Sequence, residues 1–318
     1  MDVQGRTVVI LGGGGLVGLA VARRLLELRP AAVVVSALTQ REAEEAVGQL
    51  RSEGIVPEGT RLEAEWGDIF VPVAMKDRRR AEILQDAQAR AQLLDDLYDE
   101  LSDEVIERST LGSMLLRHRP ELVIDCVNTA TAFAYQNLFR TARALRTQAL
   151  AGTAGVADIE CLLATLYMPQ LIRHVQIALE AMRRVGTKLY VKVGTSGTGG
   201  MGLNIPFTHS EERPSRMLLA KSGVAGAHTL LLYLMARTPG GPAVKEIKPT
   251  AAISWKRIGF GEVRRSGRTI ERIDATRPVP LTAAFEAGAG SDAVSTGEPL
   301  RGVYVDSGEN GLFTVGEF

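Results

Sequence analysis

Aromatic residues are scarce in this chain, at 5% of its 318 residues. So few rings do not make a base-stacking platform for single-stranded nucleic acid. Neither sign of charge is in excess: Lys plus Arg and Asp plus Glu number 37 each. No global field therefore draws the chain to nucleic acid or to an anionic membrane surface. Cysteine is nearly absent. Cys126 and Cys161 stand in apolar contexts without CxxC spacing, which argues against a disulfide framework or a cysteine-based zinc site. They read as buried small hydrophobes in a reducing compartment. The four histidines, His118, His174, His209 and His228, show no metal-ligand spacing, so no metal is expected. No run of about 18 apolar residues is evident, and no transmembrane helix is expected. The first residues lack the basic, apolar, small-residue order of a signal peptide. The expectation is a cytoplasmic protein.

What is present is an alternation of strand and helix patterns. RTVVIL (6–11) is a β-rich apolar run, and four glycines follow it at once. LVGLAVARRLLELR then has helical periodicity, ended by Pro30. AAVVVSA reads as a second strand, TQREAEEAVGQLRSEG as a second helix and RLEAEWGDI as a third strand. This order predicts a Rossmann-type, doubly wound parallel sheet with helices on both faces. Further strands are expected at Glu121–Asn128, Lys188–Gly194 and 244–254. Two helical insertions interrupt the pattern, near 70–118 and 129–158. In the first, 81–109 reads as one long amphipathic helix with Leu94, Leu97, Leu101 and Val105 along its stripe. That stripe is expected to pack on a partner subunit or on the domain itself, and an oligomer is expected. In the second, Arg140, Arg143 and Arg146 share a face that reads as solvated. Pro169 is expected to break a helical pair and Gly186 to cap it. The expected division is a dinucleotide-binding domain over 1–263 and a small substrate region over 264–318. In the latter, EAGAGSDAVSTGEP reads as a loop and GLFTVGEF as the cut-short start of a helix.

The segment LGGGGLVG fits both GxGxxG (Gly13, Gly15, Gly18) and GxxGxxG (Gly12, Gly15, Gly18). Both patterns answer one need. The chain turns sharply after a strand, the backbone must approach a pyrophosphate, and the helix must pack close to the strand. The helix N-terminus then offers open N–H groups to the phosphates, with Leu16 and Val17 in its first turn. The context of strand, glycine turn and helix gives the motif its weight. At the end of the second strand no carboxylate stands ready to hold a ribose 2′-hydroxyl. Ser36, Thr39 and Arg41 could instead meet a 2′-phosphate, so the expected cofactor is NADP, with NAD as the alternative. Asp68 and Ile69, after the third strand, are candidates to flank the adenine.

LGGGGLVG, WGDI, VIDCVNTA, KVGTSGTGG, LLAKSGVAG and IKPTAAI occur in an order that resembles the short-chain dehydrogenase/reductase superfamily. The Gly12, Gly15, Gly18 spacing and PFTHSEERPSRMLLAKSGVAG are similar to its extended, epimerase/dehydratase-like branch. The resemblance covers roughly residues 6–260 apart from the insertions. It implies a Ser/Thr, Tyr and Lys catalytic group with the last two in YxxxK. By it, Lys221 takes the lysine position, and Thr195, or else Ser196, the hydroxyl position. Asn128 and Thr129 match the segment lining the cofactor, and Pro249 and Thr250 the segment that meets the nicotinamide amide. Met217 occupies the tyrosine position, and none of the six tyrosines has a lysine four residues on. A thioether transfers no proton. His209, Tyr190 or Lys192 could supply one, or the reaction could need none from the protein, or the chain could bind a dinucleotide without chemistry. The resemblance thus implies an oxidoreductase acting on a small-molecule substrate with an atypical active site. A dinucleotide-binding sensor or scaffold and an epimerase/dehydratase on a nucleotide-sugar-like substrate are the alternatives. Neither nucleic acid nor a membrane is an expected partner.

Overall fold

The computed structural model describes residues 2–136, 138–194, 216–247, 257–265, 268–275, 293–306 and 313–315. They divide into two compact units, one holding the residues up to 194 with 216–247, the other those from 257 onward.

The first unit begins with β1 (Thr7–Leu11), α1 (Leu16–Leu26), β2 (Ala32–Ala37), α2 (Gln40–Ser52) and β3 (Arg61–Trp66). Helices α3 (Arg80–Gln85), α4 (Ala87–Tyr98), α5 (Asp103–Arg108) and α6 (Thr110–His118) separate β3 from β4 (Leu122–Asp125). Then come α7 (Thr129–Ala134), α8 (Leu138–Leu150), α9 (Val156–Leu163), α10 (Tyr167–Val185), β5 (Leu189–Val193), α11 (Arg216–Arg237) and β6 (Ala243–Ile247). The six strands are parallel in the order β3-β2-β1-β4-β5-β6. The order reverses between β1 and β4, and the carboxyl ends of strands at such a point form a crevice. This is the doubly wound Rossmann-type fold that the strand–helix alternation predicts.

Side chains alternate across the sheet and so build two cores. Val8 and Ile10 of β1 pack with Leu25 and Leu26 of α1 and Leu50 of α2. Val9 and Leu11 pack on the other face with Leu115 of α6 and Met182 of α10. Every residue of β2 is buried, as a central parallel strand requires.

The insertion departs from the single long helix expected over 81–109. Three side-chain caps divide it. Asp86 accepts from Gln88 and Ala89, Ser102 from Val105, and Ser109 from Gly112. Each is a residue whose oxygen competes for backbone N–H groups and starts a new helix. The stripe nevertheless faces inward: Leu97 and Val105 are buried. Pro169 does not break a helix. It is the third residue of α10, where its missing N–H has no partner to lose, and the break lies at 164–166. Gly186 does cap α10, at φ +76°. Within α11, Leu219–Arg237 is long and apolar enough to cross a membrane by length and composition, which corrects the expectation that no such run exists. Here it packs on α7 and α10 and buries Val224, Ala225, Leu232 and Met235.

The second unit contains β7 (Arg257–Glu262), β8 (Arg264–Arg265), β9 (Arg268–Thr269), β10 (Glu271–Ala275), β11 (Ala293–Pro299), β12 (Arg301–Asp306) and β13 (Phe313–Val315). They pair antiparallel as β10-β11, β13-β12-β7 and β8-β9. Two expectations fail here. AVSTGEP is a strand rather than loop, and Phe313–Val315 is a strand rather than the start of a helix. Both segments carry the β-branched residues that suit paired strands.

Ser109 also donates to Ile106 O and is itself buried. Ser109→Ala should strand the Gly112 N–H and lower stability by about 1–2 kcal/mol. Urea unfolding would show this as a lower midpoint at unchanged slope; an unchanged midpoint would mean that the cap contributes nothing.

Candidate functional site

β1 ends in a turn that only glycine can make. Gly12 has φ +72°, and a Cβ there would lie 3.2 Å from the backbone of Cys126 and Val127. A Cβ on Gly18 would lie 2.4 Å from Gly12 O, which brings α1 hard against the turn. Gly13 is fixed by its N–H to Ser36 O at 2.6 Å and by Val35 Cγ1, 2.7 Å from where its Cβ would stand. Gly15 differs: a Cβ there would have Gly12 O at 3.5 Å as its sole near neighbour among the described residues. It is the N-cap of α1 and has no side chain to cap the first turn. Gly12 for the turn, Gly15 for open approach and Gly18 for close packing therefore divide the work of a phosphate loop. Leu16, beside the open N-terminus, is 91% exposed, and Val17 is exposed as well.

A cleft of about 530 Å³ opens at this turn. Gly12, Gly15, Ser36, Asp68 and Ile69 line it as expected. Gly13, Leu16, Val17 and Gly18 belong to the same turn and helix start but are not among its lining residues. Thr39 and Arg41 are not among the residues that line the cleft. The Thr39 hydroxyl is engaged as the N-cap of α2, accepting from Glu42 N at 3.3 Å. The Arg41 guanidinium is solvent-exposed and lies 3.9 Å from Glu45. Glu42, which the motif did not single out, lines the cleft beside Ser36, Ala37 and Leu38. Its carboxylate accepts from Thr39 N at 3.1 Å, and this capping-box pattern is the signal that could have placed it.

Past β3, the Asp68 carboxyl accepts from Phe70 N at 2.9 Å, and burial raises its pKa above the usual range. Arg80, from the insertion, reaches the same wall of the cleft. Nothing in its sequence context marks it. Cys126 also lines the cleft. It is half-buried rather than buried, as is Cys161, and both are free thiols. Burial, then the neighbouring Asp125 carboxylate, pushes the Cys126 thiol up to about 11.

The carboxyl ends of β4 and β5 hold a buried charge network. Asp125 is paired in register with Lys192. The Lys192 ammonium lies 2.9 Å from Asp125 Oδ2 and donates to Val127 O at 2.7 Å and Thr129 Oγ1 at 3.2 Å. The Tyr190 hydroxyl donates to Asp125 Oδ2 at 2.6 Å. Burial opposes the Asp125 charge, yet Lys192 and the Tyr190 bond hold its pKa below the usual range. Burial, then Asp125, drives the Tyr190 phenol well above its ordinary value. The Tyr190 phenol is therefore not poised to give up its proton, and the Lys192 ammonium is held by Asp125, Val127 and Thr129. Both are engaged in holding the segment that follows β4.

That segment carries Asn128, the N-cap of α7, and the buried Thr129. With Lys192, Ala225 and His228 they line a small pocket on the β5 side of the cleft residues. Met217, Lys221, Ala225 and His228 fall at helical spacing on one side of α11. Lys221 is 7% exposed and has no hydrogen-bond or ion-pair partner among the described residues. Burial lowers the pKa of its ammonium. Thr195, Ser196, His209, Pro249 and Thr250 lie outside the described residues. No metal-binding group of His, Cys, Asp and Glu forms among the described residues. His118 is bound to Glu65 at 2.8 Å, and the buried His174 packs against His228 and Phe70.

No protein-family model matches the chain, and no curated protein matches it. Solved structures do. A short-chain dehydrogenase/reductase from Serratia marcescens is similar at 15% identity, over 78% of this chain and 75% of that one, with a TM-score of 0.36. The MalC reductase/Diels-Alderase from Malbranchea aurantiaca is similar at 11% identity, over 77% and 74%, with a TM-score of 0.41. A UDP-glucose 4-epimerase from Thermotoga maritima is similar at 15% identity, over 76% and 54%, with a TM-score of 0.36.

Two predictions concern the buried charges. Lys192→Met should lower stability by about 3–5 kcal/mol, because it leaves Asp125 buried without its cation. Lys192→Met with Asp125→Asn should lose less than the single change, measured by denaturant unfolding; a double variant as unstable as the sum of the singles would refute the pairing. Burial holds His174 at about 4, below its ordinary 6.5. His174 thus contributes stability that is complete above about pH 6.5 and is lost as pH falls towards 4, on the order of 3 kcal/mol. His174→Leu should flatten the fall in melting temperature over that window, and parallel wild-type and variant curves would count against it.

Proposed function

We propose that this chain is a nicotinamide-dinucleotide-dependent oxidoreductase of the short-chain dehydrogenase/reductase type with a non-standard active site. The observation that carries the reading is the division of roles among Gly12, Gly15 and Gly18 at the mouth of a cleft long enough to follow β1 to β3. The open N–H groups of α1 suit a pyrophosphate. Asp68 and Ile69, lining the cleft past β3, suit the flank of an adenine. Lys221, buried and without a partner among the described residues, suits the hydroxyls of the nicotinamide ribose. A bound nicotinamide ring supplies hydride chemistry; the protein supplies binding and orientation.

Glu42 favours NAD over NADP. A 2′-phosphate at the end of β2 would meet its carboxylate, with Arg41 turned to solvent and paired with Glu45. The substrate is a small molecule that approaches from the Asn128 and Lys221 side. Exposed Leu230, Tyr233 and Leu234 on α11 support an oligomer.

A second reading rests on the resemblance, by which Met217 takes the proton donor's position, and on the commitment of Tyr190 to Asp125. A positioned acid or base contributes ~10²–10⁴ in rate, about 3–5 kcal/mol. A chain lacking one still binds dinucleotide, as a sensor or scaffold.

Gly15→Asp separates binding from folding. Aspartate is a good N-cap, so the variant should keep or raise its melting temperature. Its side chain and charge enter the phosphate path, so NADH affinity should fall at least tenfold. NADH should bind about fivefold more tightly than NADPH, a difference of about 1 kcal/mol from partly screened repulsion, and Glu42→Gln should narrow the gap. Absence of binding by either nucleotide in calorimetry overturns the proposal, and turnover of carbonyl substrates distinguishes enzyme from sensor.

A further inference from the structure

Charge is balanced over the whole chain but separated within the insertions. Helix α8 carries Arg140, Arg143 and Arg146 and no carboxylate. Residues 95–107, from the end of α4 through most of α5, carry seven carboxylates and neither lysine nor arginine. Two of them are engaged within the fold, Asp96 with Arg108 and Asp103 with Arg184. Asp95, Asp99, Glu100, Glu104 and Glu107 are exposed. So are the three arginines, and Arg143 and Arg146 have no ion pair among the described residues.

Helix α9 lies between these two charged rows. Its Asp158 faces α8 and accepts from Gln148 at 3.1 Å. Its Glu160 faces α4 and accepts from Arg90 at 2.7 Å, and Tyr98 of α4 donates to Leu163 O at 2.9 Å. Cys161 turns inward to Leu84 of α3. At about 100° per residue, Glu160 is half a circle from Asp158, and Ile159 falls between them on the side away from Cys161. Ile159 is 48% exposed. Phe139 and Leu150 of α8, Val156 of α9 and Tyr98 of α4 are exposed as well. Neither α8 nor α9 buries a single residue. Short helices draw most of their stability from burying an apolar face, so this pair is short of a cover.

We propose that this surface is an interface with a second copy of the chain. A two-fold axis passes beside Ile159, and α8 of each copy meets the acidic 95–107 row of the other. An isologous contact must be self-complementary. A patch with one charged row on each flank of an apolar centre meets that condition, because a half-turn exchanges the flanks. The charges decide the occupant. A second copy brings both signs at once and covers both rows. An anionic membrane would be drawn to α8 and repelled by 95–107. An acidic peptide on α8 would leave the carboxylates of 95–107 uncovered. The surface is separate from the exposed face of α11.

The interface does not depend on the dinucleotide reading, and the test keeps the two apart. Sedimentation velocity of the full chain at about 1–100 μM should show an even number of copies. The assembly should dissociate as salt rises from about 0.05 to 0.5 M. Arg143→Glu with Arg146→Glu makes α8 acidic on balance. Asp95→Lys, Asp99→Lys and Glu100→Lys together make the exposed part of 95–107 basic on balance. Each variant alone should halve the mass of the assembly, and an equimolar mixture of the two should restore it. Ile159→Glu should halve the mass with an unchanged far-ultraviolet dichroism spectrum, and Gly15→Asp should leave the mass unchanged. A single copy throughout, an unchanged mass in either charge-reversed variant, or no recovery on mixing would each overturn the proposal. So would binding of phosphatidylserine vesicles that needs Arg143 and Arg146 while the mass stays that of one copy.

Discussion

The cleft depends on the close approach of α1 to the turn it leaves. With Gly12 O only 2.4 Å from where a Cβ on Gly18 would stand, no other residue fits without moving the helix. That contact fixes the direction of α1, and so of its first N–H groups. It also fixes where β1 gives way to the crevice between β1 and β4. The cleft lined by Ser36, Glu42, Asp68 and Arg80 is arranged around this one constraint. A shift of α1 by the width of a methyl group would point its N-terminus away from the cleft.

On the other side of the crevice the constraint is electrostatic. Asp125, Lys192 and Tyr190 are satisfied by one another and by the backbone of Val127. A buried ion pair of this kind adds little net stability against an apolar substitute, but it is unforgiving of partial loss. Its effect is to pin the residues from Cys126 to Thr129, which include the N-cap of α7 and part of both pockets. Tyr190 and Lys192, two of the groups that the sequence offers as proton donors, are thereby held in structural service.

The β1–turn–α1 unit was readable because its signals are local: an apolar run, four glycines and an arginine-faced helix within 20 residues. The doubly wound sheet followed from the same alternation. Elsewhere the sequence misled where two local signals competed. The hydrophobic period through 81–109 is continuous, yet Asp86, Ser102 and Ser109 interrupt the backbone with caps. Other features were beyond reach. Asp125 and Lys192 meet through a parallel register across 66 intervening positions, and Arg80 reaches Ala164 and Gln170 from the insertion. Such pairings are set by tertiary packing and leave no periodic trace.

The Cys126 thiol has a consequence for handling the molecule. With its pKa near 11, roughly one thiol in ten thousand is ionised at neutral pH. Peroxide and alkylating reagents attack the thiolate, so the cleft wall resists both. Labelling of Cys126 is then slow at neutral pH and accelerated by alkali.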